Sequence, residues 1–224
     1  MAERRQLTRD RLAGIEMYIR RQDNPPQRDP AALQAWPVDS LAAHLSEALR
    51  REPDFEYLFS NEQDRRAMLP LYFRSATRAG HLYGEICATE NLDGIAIWIR
   101  PENAAPFRRL MQLEPMLATL NQGREFAARY TNLYASVEEA RRRLAHRPHW
   151  YLMMLVGDVS QRAIREALIE PVLARAESEM TSCYIETFSE NNLPLYDASG
   201  FRIVGAGRIS DGGPSFWAMA KGKL

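Results

Sequence analysis

Three short stretches hold the residues best placed to do chemistry. In Cys183-Tyr184-Ile185-Glu186-Thr187-Phe188 a single glutamate interrupts an apolar run. Read as a strand, Tyr184, Glu186 and Phe188 share one face and Cys183, Ile185 and Thr187 the other. A carboxylate so placed either has its pKa raised, which suits proton transfer, or is tied to a nearby arginine or backbone N–H. Next comes Asn192-Leu193-Pro194-Leu195-Tyr196. Tyr196 is either a proton donor or a core tyrosine ahead of the Ser199-Gly200-Phe201 turn, where Gly200 takes the left-handed cap position and Phe201 packs. The third stretch, Ser160-Gln161-Arg162-Ala163-Ile164-Arg165, leads into a helix. Unsatisfied N–H groups at such a start attract anions, and Arg162 and Arg165 bring charge to it.

Aromatic residues supply candidate walls for a cleft. Phe55, Tyr57 and Phe59 crowd the connection DFEYLF, where they either plug the core or line a substrate site. Tyr83, Trp98 and Trp217, on expected strands, are further candidates, with core filling as the alternative.

The elements that position these groups are legible from periodicity. HWYLMMLVGD, beginning at His149, is almost continuously apolar and reads as a central strand covered on both faces. The following helix carries Ile164, Leu168, Val172, Leu173 and Ala176 on one face, and Pro171 should bend it. Upstream, 38–80 reads as two helices. Asp39-Ser40 caps the first, Leu41, Leu45, Ala48 and Leu49 form its stripe, and the second runs over 63–78. Residues 81–90 and 94–100 read as a hairpin turning at Asn91-Leu92-Asp93. Residues 105–146 are helical again, and RRRLAHR at 141–147 reads as a solvated helix face rather than an anion patch. The chain closes with a hairpin around DGGP.

The order strand, helix, strand, Asn-x-Pro-x-Tyr turn, with the segments HWYL, ALIEPVL, YIET and NLPLYDASGF, resembles the core of the GNAT (N-acetyltransferase) superfamily, above all its small-molecule branch. The resemblance implies an α/β (α+β) fold with a central mixed, mostly antiparallel twisted sheet of about six to seven strands flanked by helices. It implies acetyl-CoA or another acyl-CoA as donor. Free backbone groups on Met154, Leu155 and Val156 would meet the pantetheine arm and the thioester. Asn192 would contact the cofactor or cap a short helix, and Tyr196 would protonate the departing thiolate. A phenol near its ordinary pKa of ~10 suits a thiolate near ~8.5. One departure stands out. Where the family has a Q-x-x-G-x-G loop for the pyrophosphate, Ala163 and Arg165 occupy the expected glycine positions, beside Gln161 and Arg162. The expected function is N-acyl transfer to a small molecule with a weakened coenzyme A site. The alternative is a repurposed scaffold without coenzyme A that performs a cyclisation, decarboxylation or elimination.

Composition narrows the classes. The 224 residues carry 29 Lys plus Arg against 29 Asp plus Glu, so no bulk charge selects nucleic acid or a membrane surface. His44, His81, His146 and His149 show no metal-ligand spacing, and no P-loop, G-x-S-x-G elbow or dinucleotide fingerprint occurs. Cys87 and Cys183 lie inside apparent strands, which favours small buried hydrophobes over a disulfide. No apolar run reads as a signal peptide or membrane span, and a cytoplasmic protein is expected. Residues 1–36, with their proline-rich QDNPPQRDP, read as a partly flexible arm and 37–224 as a single domain, monomeric or homodimeric.

Overall fold

The computed structural model describes residues 37–110, 124–158 and 161–224. The N-terminal arm, Ser160 and the middle of the 105–146 stretch fall outside them. The helices are α1 (Val38–Leu49), α2 (Pro53–Leu58), α3 (Glu62–Tyr83), α4 (Arg124–Leu144), α5 (Arg162–Leu168), α6 (Glu170–Ser178) and α7 (Leu193–Ala198). The strands are β1 (Gly84–Ala88), β2 (Ile95–Ile99), β3 (His149–Val156), β4 (Ser182–Thr187), β5 (Arg202–Arg208) and β6 (Ser215–Lys221). They form a six-stranded sheet in the order β1-β2-β3-β4-β6-β5, antiparallel except at the β3–β4 step.

That one parallel step shapes the molecule. β3 and β4 pair through His149 with Ser182, Trp150 with Cys183 and Tyr151 with Tyr184, and then the ladder stops. β3 continues along β2 to Val156, while β4 continues along β6 to Thr187. The sheet therefore opens into a V between Leu152–Val156 and Ile185–Thr187. A β-bulge reinforces the divergence. Ile97 faces Met154 but Trp98 faces Leu152, which leaves Met153 as the extra residue. A bulge increases local twist and re-aims side chains. Here it turns Met153 and Met154 toward the same helical layer, whereas Trp150 and Leu152 point to the other.

Each face of the sheet is covered by helices. On one, Ile164, Leu168, Val172 and Leu173 of α5 and α6 pack on Trp98, Trp150 and Leu152. On the other, Leu41 and Leu45 of α1, Phe55 of α2 and Leu69 and Phe73 of α3 pack on Ile95, Ile97 and Met154. The β3 run is nearly all apolar because both layers bury it.

Four local expectations are corrected. α1 begins one residue before Asp39 with Pro37 at the N-cap and no side-chain cap bond, so Asp39-Ser40 is the first turn rather than the cap. α3 extends through His81, Leu82 and Tyr83, which had read as strand, because Ala76, Ala79, Gly80 and Tyr83 continue its buried face. The helix after β3 is interrupted at Ile169 and restarts with Pro171 in its first turn, a sharper break than a bend. Within 141–147, Arg141 is buried on the apolar stripe of α4, while Arg142 and Arg143 are solvated. The C-terminal turn is as expected: Gly200 has φ of +88°, and Phe201, fully buried, donates its N–H to the Tyr196 carbonyl at 3.0 Å.

Gly84, where α3 gives way to β1, is fixed by close approach. A Cβ there would lie 1.7 Å from the Trp98 carbonyl oxygen. Gly84→Ala should destabilise the fold by about 3 kcal/mol, the upper end for overpacking, because the obstacle is backbone. Urea denaturation should show a lower midpoint with an unchanged slope.

Candidate active site

A cavity of about 380 Å³ runs through the V. Met154, Leu155, Val156 and Gly157 form its β3 wall and Ile185, Glu186 and Thr187 its β4 wall. Asn192 and Tyr196 line it as well, together with residues of α1, α2, α3 and α4. Because the β3–β4 ladder ends at Tyr151 and Tyr184, the β3 backbone beyond Leu152 has no β4 partner. Backbone groups in such a place need a partner, and an extended amide-bearing ligand supplies one.

Tyr196 is held by α7, which starts with Pro194 in its first turn after the short helical turn Glu190–Asn192. Its ring meets Phe201 edge-on at 6.1 Å, and burial, then the charge of Glu52, hold its pKa well above the ordinary phenol value. The phenol is thus a donor at any working pH. It is less acidic than the sequence-based match to a thiolate assumed. Asn192 precedes α7 without making a side-chain cap bond, and it lines the cavity.

Glu186 is not an isolated carboxylate. Arg141 donates from Nε and a terminal nitrogen to its two oxygens, both at 3.1 Å, in a bidentate pair. The same guanidinium lies over the Tyr151 ring, 4.1 Å from its centroid, and reaches Glu138 at 3.3 Å. Tyr151 also bonds Glu186, and the Tyr184 hydroxyl lies near it without a hydrogen bond of ordinary geometry. Burial raises the Glu186 pKa, against the pull of Arg141.

Two acids not singled out in the sequence enter the cavity at the start of α2. Glu52 is the N-cap residue, Pro53 opens the helix, and Asp54 follows. Burial first and the neighbouring Glu52 second push the Asp54 carboxyl up to about 7, while the N–H groups of Asp54 and Phe55 pull the other way. Burial also raises Glu52. Their signal was present in Glu52-Pro53-Asp54 beside the noted aromatics. That of Arg141 was an arginine sharing the stripe of Val137, Ala140 and Leu144.

The aromatic candidates separate. Phe55 lines the cavity, together with Tyr72, Phe107, Tyr130, Tyr134, Tyr151 and Phe188. Phe59 is buried away from it, stacked on Phe126 at 4.6 Å. Tyr57 donates to the Ser210 carbonyl at 3.3 Å. Tyr83 packs with Ala79, Ile99 and Phe107. Trp98 is fully buried on the opposite face of the sheet, where its indole N–H bonds the Leu168 carbonyl at 3.0 Å. Trp217 pairs across β6 with Thr187 and Ala206 and does not line the cavity.

The loop residues also lie outside the cavity wall. Gln161 is the N-cap of α5 and bonds Asp158 at 3.1 Å, Arg162 pairs with Glu166 at 2.6 Å on the exposed surface, and Ala163 is exposed beside it. Arg165 lies 3.7 Å from Glu170. Among the described residues, no group of His, Cys, Asp and Glu could hold a metal ion, and no helix is long and apolar enough to cross a membrane.

No family model matches the chain. Solved structures do. A structure described as histone acetyltransferase HPA2 and related acetyltransferase, from Corynebacterium glutamicum, is 24% identical with a TM-score of 0.57, covering 86% of this chain and 94% of its own. An agmatine N-acetyltransferase is 14% identical with a TM-score of 0.52, covering 86% of this chain and 98% of its own. The chain has the GNAT fold. An arylalkylamine N-acetyltransferase 2 from Aedes aegypti adds a further match, 12% identical with a TM-score of 0.50, covering 83% of this chain and 94% of its own. At these identities the likeness establishes the GNAT scaffold, and function has to be argued from the site.

Proposed function

We propose that the protein is an N-acyltransferase that moves an acyl group from an acyl-CoA, such as acetyl-CoA, to the amine of a small molecule. The observation that carries this reading is the cavity through the β3–β4 opening, lined by Tyr196, Asp54 and Glu52. Strand backbone at Met154, Leu155 and Val156 would hold the pantetheine arm and polarise the thioester carbonyl. Asp54 and Glu52 would attract a cationic amine, and the aromatic lining would enclose its organic body. Agmatine and arylalkylamines, after which two structural neighbours are named, are both amines.

Asp54 is the better proton acceptor of the two acidic positions. With a carboxyl pushed up to about 7, it can take a proton from the substrate ammonium near neutral pH and so free the amine to attack the thioester carbonyl. Both oxygens of Glu186 are occupied by Arg141, so we assign that pair to shaping the cavity floor. Tyr196 would hydrogen-bond the sulfur as charge develops on it. Tyr196→Phe should reduce kcat by about 10²-fold, in the range for a lost proton donor, with little change in KM. The function is tested by thiol release from acetyl-CoA with a panel of aromatic and aliphatic amines. Amine-dependent release supports it, and no release with any amine contradicts it.

One observation favours a second reading. Arg162 is engaged by Glu166, and neither it nor Arg165 lines the cavity, so charge does not visibly replace the lost glycines at the pyrophosphate position. A scaffold that no longer takes coenzyme A would use the same cavity for a cyclisation, decarboxylation or elimination. Turnover of an amine or acid without acyl-CoA would mark it.

A further inference from the structure

We propose that a basic cleft at the start of β3 binds a phosphate-bearing small molecule, at a site separate from the acyl-transfer cavity. The cleft, about 470 Å³, lies between the segment 99–108, the last turn of α4 and the loop leading into β3. Three pieces of chain bring guanidinium groups to it: Arg100 and Arg108 from the first, Arg141 and Arg142 from the second, and Arg147 from the third. His146 and His149 stand beside them, and Glu102 is the acidic residue in the wall among the described residues.

Ion pairs position four of these arginines. Arg100 reaches Glu85 at 2.8 Å and Glu102 at 4.0 Å. Arg108 and Arg141 each reach Glu138 at 3.3 Å, Arg141 also holds Glu186, and Arg142 pairs with Glu139. Glu85 is shared with Arg175, and Glu139 with Arg143. Four arginines of the wall thus engage Glu85, Glu102, Glu138, Glu139 and Glu186, and of these five acids Glu102 alone, among the described residues, lines the cleft itself. Arg147 is exposed and has no carboxylate within ion-pair distance among the described residues. Arg100 Nε is buried with no hydrogen-bond acceptor.

His149 stands beside these arginines. Its Nδ1 faces the Arg147 carbonyl at 2.8 Å, yet its pKa is lowered, first by burial and further by Arg141 and Arg108. Guanidinium groups brought to one space from three segments, Arg147 among them without a carboxylate partner, offer N–H donors that match the several oxygens of a phosphate. The volume leaves room for a small organic body. The cleft shares only Phe107, Arg141 and Tyr151 with the cavity in the V, and Arg162 and Arg165 lie outside both.

The test is calorimetric titration of the full chain with inorganic phosphate and with phenyl phosphate at constant ionic strength, with and without saturating coenzyme A. Saturable binding is expected that coenzyme A leaves in place, that Arg162→Ala with Arg165→Ala leaves unchanged, and that Arg142→Glu with Arg147→Glu weakens at least tenfold. Arg147→Ala, at an exposed loop position, should weaken it by a smaller factor with no change in Tm in the absence of phosphate. The proposal is overturned by absence of saturable binding, by displacement with coenzyme A, or by binding that Arg147→Ala leaves intact.

Discussion

Replacing Asp54 with asparagine should lower the acyl-transfer rate by about 10²- to 10⁴-fold, the range contributed by one positioned proton acceptor. The loss should fall on kcat, since asparagine keeps the shape of the cavity wall and Glu52 keeps a second carboxyl beside it. In the wild type, kcat should rise with pH through about 7, as Asp54 ionises, and that step should vanish in the variant. Stability should respond in the opposite sense. A carboxyl whose folded-state pKa lies above its unfolded value of 3.8 binds more protons when folded, so the wild type loses stability as pH rises from about 4 through about 7. Asp54→Asn escapes that loss. Its Tm advantage over wild type should be negligible at pH 4, grow through neutrality and level off above it. A variant that is slower but more stable at pH 8 would fit the balance between function and stability in which active-site groups are held in unfavourable states.

Removing Arg141 should be the most destabilising single change. Arg141→Ala strips Glu186 of both its charge-assisted bonds and leaves a buried carboxylate facing Tyr151 and Tyr184. Breaking a buried pair from one side costs about 3–5 kcal/mol. The loss should be smaller at pH 5 than at pH 8, because burial already raises the Glu186 pKa and protonation relieves the stranded charge. Arg141→Met combined with Glu186→Gln should recover much of the loss, since it removes the charge as well as its partner. Chemical denaturation of the two variants at both pH values separates this account from simple loss of packing, which would leave the deficit independent of pH.

Much of the scaffold could be read from residue patterns, because periodicity and turn chemistry act locally. HWYLMMLV had to be buried on both faces, Gly200 had to end a helix, and the DGGP hairpin had to turn. Those signals hold wherever the segment sits. The boundary of α3 was misread because Leu82-Tyr83 looks like the start of a strand, and only packing against Ile99 and Phe107 shows that the helix continues. The site was harder. Tyr196 and Asn192 could be found from a motif, but Arg141 meets Glu186 across 45 residues of sequence. Asp54 acquires its raised pKa from burial that no local pattern encodes. Trp98 illustrates the reverse limit, since the bulge after Ile97 and the crossover from β3 to β4 decide which face of the sheet meets the cavity.

The proposed function requires that the opening between β3 and β4 still receives coenzyme A. Calorimetric titration with acetyl-CoA and with free coenzyme A tests it most directly, with Leu155→Trp, at a half-buried position of the β3 wall, as a variant that fills the opening and Arg147→Ala as one that leaves it alone. Binding in the micromolar range, abolished by Leu155→Trp and retained in Arg147→Ala, is the expected result. No binding up to millimolar ligand would contradict the acyltransferase account and leave the cavity to chemistry that needs no coenzyme.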